Sequence, residues 1–475
     1  MERTRSQSGP AAAKEIVAGL LARARAAQRA FERSPQEVLD EAATAAGWAI
    51  MNPEHNRALA ELAVRDTGLG VVADKIAKNH RKTLGLLRDL QGAKTTGVIA
   101  DYPALGITEF ARPVGVVAAV VPSTNPAATP ANNIINALKC GNAVILSPSP
   151  KGYSTCALLV KYVHEELARV GVSPDLVQLL PAPVTRELTA ELMRQCDLVV
   201  VTGSQNNVRA GYSSGTPALG VGTGNVAVIV DESADLADAA AKIMRSKTFD
   251  NATSCSSENA VVIHERVYDR MVAALTEEGG ALLTAAEKET LRKAMFPGGR
   301  LSPAVTAQSV KKICAVAGLA RAELIASKCL MVEETGAGRE YPFSGEKLSP
   351  VLALYRARDF DAACAIVSAI YDYQGKGHSV GIYTEREDHI RRLALELPVA
   401  RVIVKQSHTF ATGGSFDNGL PFSLSMGCGT WGRNSFSDNL NYRHFMNVTR
   451  IVRVIPPREP TLEEIFGAYR KKHGL

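Results

Sequence analysis

Cys255 stands in the run Thr253-Ser254-Cys255-Ser256-Ser257, a small polar loop immediately ahead of the apolar stretch Ala-Val-Val-Ile at 260–263. The ordinary fate of a cysteine is burial as an inert small hydrophobe. One placed in a hydroxyl-rich loop between elements can instead be exposed, ionise and attack an electrophilic carbon. On the loop alone both readings stand. The eight cysteines, at 140, 156, 196, 255, 314, 329, 364 and 428, include no C-x-x-C pair and no zinc spacing. Reduced thiols in a reducing, cytoplasmic setting are therefore expected, and no metal site.

The elements that must position this loop can be read from periodicity. From Ala11 to Phe31 apolar residues (Ile16, Leu20, Leu21, Ala24, Phe31) recur at helical spacing, which predicts an amphipathic helix docked on its own domain. Further helices are expected over 35–51 and 54–90. The stretch 95–122 alternates β-branched with polar residues and predicts a hairpin leading into a buried strand. Beyond it, apolar strands alternate with single helices: GVVAAVVP, NAVILSPSP, LVQLLPAP and DLVVVTGS, separated by helices over 131–139, 154–170 and 186–195. That alternation implies an α/β fold with a parallel sheet and right-handed crossovers. A second α/β region is expected from NVAVIVDESAD to about Gly432, and a strand in the tail over 440–456.

The segment KTFDNATSCSSEN resembles the nucleophile loop of the acylating branch of the aldehyde dehydrogenase superfamily, F-D-N-G-x-x-C-x-S-E. Phe249, Asp250, Asn251, Cys255, Ser257 and Glu258 stand at those places, with Ala252 where the pattern has glycine. Five further stretches extend the resemblance over nearly the whole chain: PVGVVAAVVPSTNPAATP, GVGTGNVAVIVD, EKLSPVLALYRARDF, GKGHSVGIYT and SLSMGCGTWGRNS. The resemblance implies an aldehyde dehydrogenase-like fold: a Rossmann-like cofactor domain (1–95 and 113–228), a catalytic α/β domain (229–435) and an oligomerisation ribbon (96–112 and 440–457). It also implies a homodimer or homotetramer.

The chemistry implied is oxidation of an aldehyde through a covalent adduct. An sp² carbonyl carbon has no good hydride to give, so a thiolate, here Cys255, first adds to make a tetrahedral centre. Its oxyanion needs preplaced donors, which the family draws from the backbone N–H at the nucleophile and from a side-chain amide. Asn125 is the candidate amide, one residue later than in the P-W-N-x-P run of hydrolytic relatives, and a turn-forming Asn before Pro126 is the alternative. Hydrolytic members activate water with a glutamate in E-L-G-G-K, but the matching run 220–224 is Gly-Val-Gly-Thr-Gly and has no carboxylate. That favours coenzyme A, itself a good thiol nucleophile, as acyl acceptor. His378 in GKGH matches a histidine of the branch that either assists the coenzyme A thiol or is structural.

No convincing G-x-G-x-x-G fingerprint stands in the expected place, after the first strand of the cofactor domain. The resemblance instead points the dinucleotide to Ser147, Pro148, Ser149 and Lys151, to Gly203 and Ser204 opening a helix, to Gly222, and to Glu346 at the nicotinamide ribose. SPSPKG has no carboxylate to hold a ribose and adds Lys151, which tilts the expectation to NADP with NAD possible. Lys405 and His408, in VKQSHTFATGGS, occupy the region that lines the aldehyde pocket in relatives and suit a short anionic aldehyde. The pattern is most similar to sulfoacetaldehyde-oxidising members of the branch, with acylating succinate semialdehyde or short-chain aldehyde enzymes second.

Composition closes off other classes. Hydrophobic residues make up 46% and charged residues 21%, as in ordinary globular chains. The charge of +6, from 54 basic and 48 acidic residues, forms no basic groove with interleaved aromatics, which argues against nucleic acid. No window reaches the length of a membrane span, no secretory signal pattern opens the chain, and 475 residues leave no room for a fused iron-dependent alcohol dehydrogenase domain.

Overall fold

Four helices precede the first strand: α1 (Pro10–Phe31), α2 (Gln36–Met51), α3 (Pro53–Thr67) and α4 (Val72–Leu90). The computed structural model describes residues 10–475. In α1 the buried stripe is Ala13, Val17, Leu20, Leu21, Ala24 and Phe31, so the helix docks as expected, with Ile16 alone of the residues read for its apolar face turned outward. The single helix expected over 54–90 is two. Gly68 adopts φ 68° and donates its N–H to Val64 O at 2.8 Å, closing α3 as a left-handed cap that a residue with a Cβ adopts only at a cost. The interruption matters, because it frees α4 to run along the nucleophile loop.

The hairpin follows as β1 (Gly97–Tyr102) and β2 (Ile107–Pro113), antiparallel. Next come β3 (Val116–Val121), β4 (Ala143–Pro148), β5 (Val177–Leu179), β6 (Leu198–Thr202) and β7 (Ala218–Val221). They form a parallel sheet of order β5-β4-β3-β6-β7. All six residues of β3 are buried, as a strand covered on both faces requires. The order reverses between β3 and β6, which opens a crevice at their C-terminal ends, the place where open α/β sheets bind ligands.

The second sheet is also parallel and has seven strands: β8 (Val226–Val230), β9 (Glu258–His264), β10 (Gly280–Leu282), β11 (Cys329–Glu333), β12 (Val351–Ala357), β13 (Val380–Tyr383) and β14 (Val402–Val404), in the order β10-β11-β12-β9-β8-β13-β14. Two of the domain limits read from the sequence need moving. A division at 228/229 cuts through β8, whose residues pair with β9 and β13 in the second sheet. At the other end, Phe422, Leu440 and Phe445 are fully buried in the first core, so the last part of the catalytic range packs on the cofactor-type domain.

The tail strand β15 (Met446–Val452) pairs with β2 and completes a three-stranded antiparallel ribbon. The ribbon runs over 97–113 and 446–452; residues 440–445 are instead a connection anchored by the buried Leu440 and Phe445. No helix among the described residues is long and apolar enough to cross a membrane.

Candidate active site

The nucleophile loop is held in an unusual backbone. Asp250, Asn251 and Ala252 all take left-handed conformations, with φ of 52°, 49° and 58°. Each such residue with a Cβ costs roughly 1–2 kcal/mol, so something must hold the turn. Asp250 does so. Its carboxylate, fully buried, accepts from Val71 N–H (2.8 Å), Lys75 Nζ (3.1 Å), Lys78 Nζ (2.6 Å) and Thr253 Oγ1 (2.6 Å). Burial by itself raises the Asp250 carboxyl, but Lys78 and Lys75 outweigh it and leave it below the usual carboxylate range. The left-handed turn then delivers Cys255 in a tight bend before β9. Gly224 lies against that bend: a Cβ there would stand 2.1 Å from the Cys255 carbonyl oxygen, so only glycine fits.

Cys255 opens on a cavity of about 330 Å³ at the C-terminal edge of the first sheet. One wall comes from the ends of β3 (Pro122 to Asn125), β6 (Thr202 to Ser204) and β7 (Gly222, Thr223); the other from α4 (Lys78, Arg81, Lys82), Phe249, Thr409 and Ser423. Glu346 also lines it. A second cavity, about 600 Å³, shares Gly222 and Thr223 with the first and carries Arg209, Lys376 and Arg433.

Asn125 is in this cavity, and its orientation is fixed. Its Oδ1 accepts from Lys78 Nζ at 3.0 Å; an ammonium only donates, so the amide oxygen faces the lysine and Nδ2 is turned away from it. Among the described residues neither Asn125 Nδ2 nor the Cys255 N–H donates to another residue, which leaves two donors in the cavity that holds the thiol.

The Cys255 thiol is pushed up to about 12, first by burial, then by the Glu346 carboxylate and Cys428. Below that value the thiolate fraction grows roughly tenfold per pH unit. Alkylation of Cys255 by iodoacetamide in the free protein is therefore expected to accelerate about tenfold per unit across pH 7 to 10 without levelling, read by peptide mass spectrometry. A plateau near pH 8 would show a thiol far more acidic than this site produces.

The other residues named from the sequence divide into two groups. Gly203, Ser204, Gly222 and Glu346 line the cavity with Asn125 and Cys255. Ser147 and Pro148 end β4 at the same sheet edge, with Ser149 and the exposed Lys151 just beyond, though the Ser147 hydroxyl is engaged with Thr189 Oγ1 at 2.8 Å. Burial pushes the Glu346 carboxyl up to about 8.

Three expectations are not met. Lys405 forms an ion pair with Glu385 at the surface and lines neither cavity. His408 is buried, its Nε2 bonded to Ser379 Oγ (2.8 Å) and its backbone N–H to Glu258 Oε1 (3.2 Å). His378 is buried on the other side of the same hydroxyl, Nδ1 to Ser379 Oγ at 2.7 Å, and burial, then Arg401, pushes its ring down to about 3. These histidines form one neutral buried chain through Ser379, and neither lines the Cys255 cavity.

The functional residues missed in the sequence are those of α4. Lys75, Lys78 and Lys82 recur at one helical face, a pattern that ordinarily marks a solvated stripe, yet all three are buried. Lys82 Nζ donates to Gly413 O and, at 3.0 Å, to Ser423 O.

A thiol that faces the ligand edge of a dinucleotide-type sheet, with two free N–H donors in its cavity, belongs to enzymes that oxidise a carbonyl through a sulfur adduct. The chain belongs to the aldehyde dehydrogenase family, whose family model matches residues 3–420. It is 62% identical over 463 residues to the sulfoacetaldehyde dehydrogenase (acylating) of Cupriavidus necator, covering 98% of this chain and 94% of that one. It is 37% identical to the succinate-semialdehyde dehydrogenase (acetylating) of Clostridium kluyveri, covering 94% and 98%. The crystal structure of an acetylating aldehyde dehydrogenase from Geobacillus thermoglucosidasius superposes with a TM-score of 0.90 at 34% identity, covering 95% of this chain and 99% of that one. The aldehyde dehydrogenase-like fold and the acylating resemblance read from the sequence are borne out.

Proposed function

We propose that the protein is a coenzyme A-acylating sulfoacetaldehyde dehydrogenase that converts sulfoacetaldehyde, coenzyme A and NAD(P)⁺ into sulfoacetyl-coenzyme A and NAD(P)H. The observation that carries this reading is a cysteine nucleophile with two free donors in its cavity and no carboxylate on the facing Gly220–Gly224 run, joined to the close likeness to an acylating sulfoacetaldehyde enzyme.

Cys255 first loses its thiol proton to solvent; the thiolate Sγ then adds to the aldehyde carbon, and the negative charge that passes to oxygen is met by the Cys255 N–H and Asn125 Nδ2. Collapse of this adduct expels hydride and leaves a thioester on Cys255. The dinucleotide supplies the hydride acceptor. Its residues here would be Ser147 through Lys151 after β4, Gly203 and the Ser204-capped helix Gln205–Tyr212, Gly222 and Glu346; the crevice between β3 and β6 and the Glu346 carboxyl lining the cavity fit such a group. With no carboxylate on the 220–224 run to activate water, the thioester survives until the coenzyme A thiol displaces Cys255. The basic second cavity, sharing Gly222 and Thr223 with the first, suits the phosphates of that cosubstrate.

NADP is preferred, because no carboxylate follows β4 and Lys151 stands exposed with no acidic partner among the described residues. Lys151→Ala is expected to raise the KM for NADP about tenfold and leave that for NAD unchanged. An equal change for both dinucleotides would remove the 2′-phosphate from this turn. The scattered spacing of the eight cysteines, with no paired pattern, suits a cytoplasmic enzyme. The ribbon presents Val448, Ile451 and Val452 outward on an open edge strand, which supports pairing with a second copy in a homodimer or homotetramer, read by light scattering on the eluting protein.

The deciding assay follows reduction of NADP, and separately NAD, with sulfoacetaldehyde in the presence and absence of coenzyme A, with mass spectrometry of the product. A sulfoacetyl thioester formed only with coenzyme A supports the reading. A free acid formed without coenzyme A overturns the acylating step, and turnover of other aldehydes alone overturns the substrate.

A further inference from the structure

The wall of the Cys255 cavity contributed by α4 carries more positive charge than the fold consumes. Lys78 spends its three N–H groups on Asn125, Asp250 and Thr253. Arg81 and Lys82, next on the same helix and also in the cavity, have no carboxylate within 4 Å among the described residues. Every polar contact of Arg81 is on one side of its guanidinium: Nη1 donates to Phe410 O (2.9 Å) and Gly414 O (3.3 Å). Its Nε is buried with no partner, and Nη2 makes no bond to the described residues. Nε and Nη2 form the edge that grips a planar or tetrahedral oxyanion with two parallel hydrogen bonds. Backbone carbonyls and the Phe410 ring, 4.9 Å from the guanidinium carbon, hold the fork rigidly, and Arg245 stacks on the same ring at 4.5 Å.

Lys82 is held by two carbonyls and lies close enough to Cys255 for each group to bias the other's proton. Burial, then Arg81 and Lys78, holds its ammonium well below the ordinary range, as expected of a cation awaiting a counterion. Leaving a buried Nε–H unpaired in a cluster of like charges is unfavourable unless a ligand completes it.

We propose that Arg81, through its free Nε/Nη2 edge, together with Lys82 forms the anion subsite that holds the sulfonate of the aldehyde and so presents its carbonyl, one methylene away, to Cys255. This rests on the substrate reading above. It replaces Lys405 and His408, which the fold turns away from the cavity, as the source of specificity for an anionic substrate. Neutral aldehydes of the same length lack the group that would fill the fork.

Two measurements test it. In the intact wild-type protein, ethanesulfonate, an inert anion of substrate size, should slow iodoacetamide alkylation of Cys255 at least about fivefold more than the neutral ethyl methyl sulfone at equal concentration. Equal protection by both overturns the subsite without any variant having to fold. In Arg81→Gln, the ratio of kcat/KM for sulfoacetaldehyde to that for propionaldehyde should fall about 100-fold, with Arg81→Lys intermediate. An unchanged ratio overturns the proposal, as does a raised KM for coenzyme A with unaltered aldehyde preference, which would make the anion a coenzyme A phosphate. If the wild type does not oxidise sulfoacetaldehyde at all, the substrate reading falls, while preferential protection by ethanesulfonate would still locate the anion site.

Discussion

Cys255→Ala is expected to lower kcat/KM for aldehyde oxidation by a factor on the order of 10⁴ or more, and to abolish the acyl-enzyme that mass spectrometry detects when aldehyde and dinucleotide are supplied without coenzyme A. The magnitude follows from the role of the sulfur. Without a tetrahedral adduct the carbonyl carbon holds no transferable hydride, so the remaining donors act on a centre that never forms. Cys255→Ser keeps shape but offers a hydroxyl far less acidic and less nucleophilic than the thiol. In the intact protein the thiol itself is pushed up to about 12, so a serine there stays inert and its variant falls as far. Fold should be untouched, because Cys255 sits in a bend set by Asp250, Thr253 and Gly224 rather than by its own packing. Retention of more than a few per cent of activity by either variant would sink the covalent mechanism.

How far the sequence carried the structure depends on which physical signal each element emits. The strands β3, β4 and β6 were legible because unbroken apolar runs have one outcome in a sheet covered on both faces. The nucleophile loop was legible because a cysteine among hydroxyls before an apolar strand is chemically conspicuous, and the F-D-N frame named its family. Its conformation was not: nothing in Asp250-Asn251-Ala252 announces three left-handed residues, which exist because α4 reaches across from 175 residues away in the chain. The break between α3 and α4 falls at Gly68 and Gly70, both at positive φ, punctuation that a single helix over 54–90 ignores.

Charge was the least legible feature. Lys75, Lys78 and Lys82 lie at helical spacing, and a lysine stripe is usually bound for solvent. Here it is buried because Asp250, Asn125 and the carbonyls of Gly413 and Ser423 converge on it from distant segments. The converse misled for Lys405, His408 and His378. Basic side chains in the matching loops look like substrate contacts, yet Lys405 finds Glu385 and the two histidines share one serine hydroxyl. A side chain's destination depends on which long-range partner satisfies it first, and local spacing carries no record of that.

Asn125→Ala is expected to lower kcat about 10²- to 10³-fold while leaving iodoacetamide alkylation of Cys255 within about threefold of the wild type. The two readouts separate the oxyanion from the thiol. Alkylation proceeds through a thiolate at a saturated carbon and creates no oxyanion, so a donor aimed at a carbonyl oxygen contributes nothing to it. Aldehyde addition puts a full charge on that oxygen in a cavity sheltered from water, where one preplaced N–H is worth far more than in solution. Lys78 fixes which end of the amide faces the thiol: while its ammonium holds Asn125 Oδ1 at 3.0 Å, Nδ2 is the end left for substrate. Lys78→Met should therefore reproduce part of the kcat loss through misorientation, with the added destabilisation of an Asp250 carboxylate left to Lys75 alone. Asn125→Asp should be worse than alanine, since a carboxylate beside Lys78 brings an acceptor and a charge to the spot where the oxyanion must form. Alkylation that falls in step with turnover in Asn125→Ala would instead make this residue a support for the loop, and the amide donor would have to be sought elsewhere in the cavity.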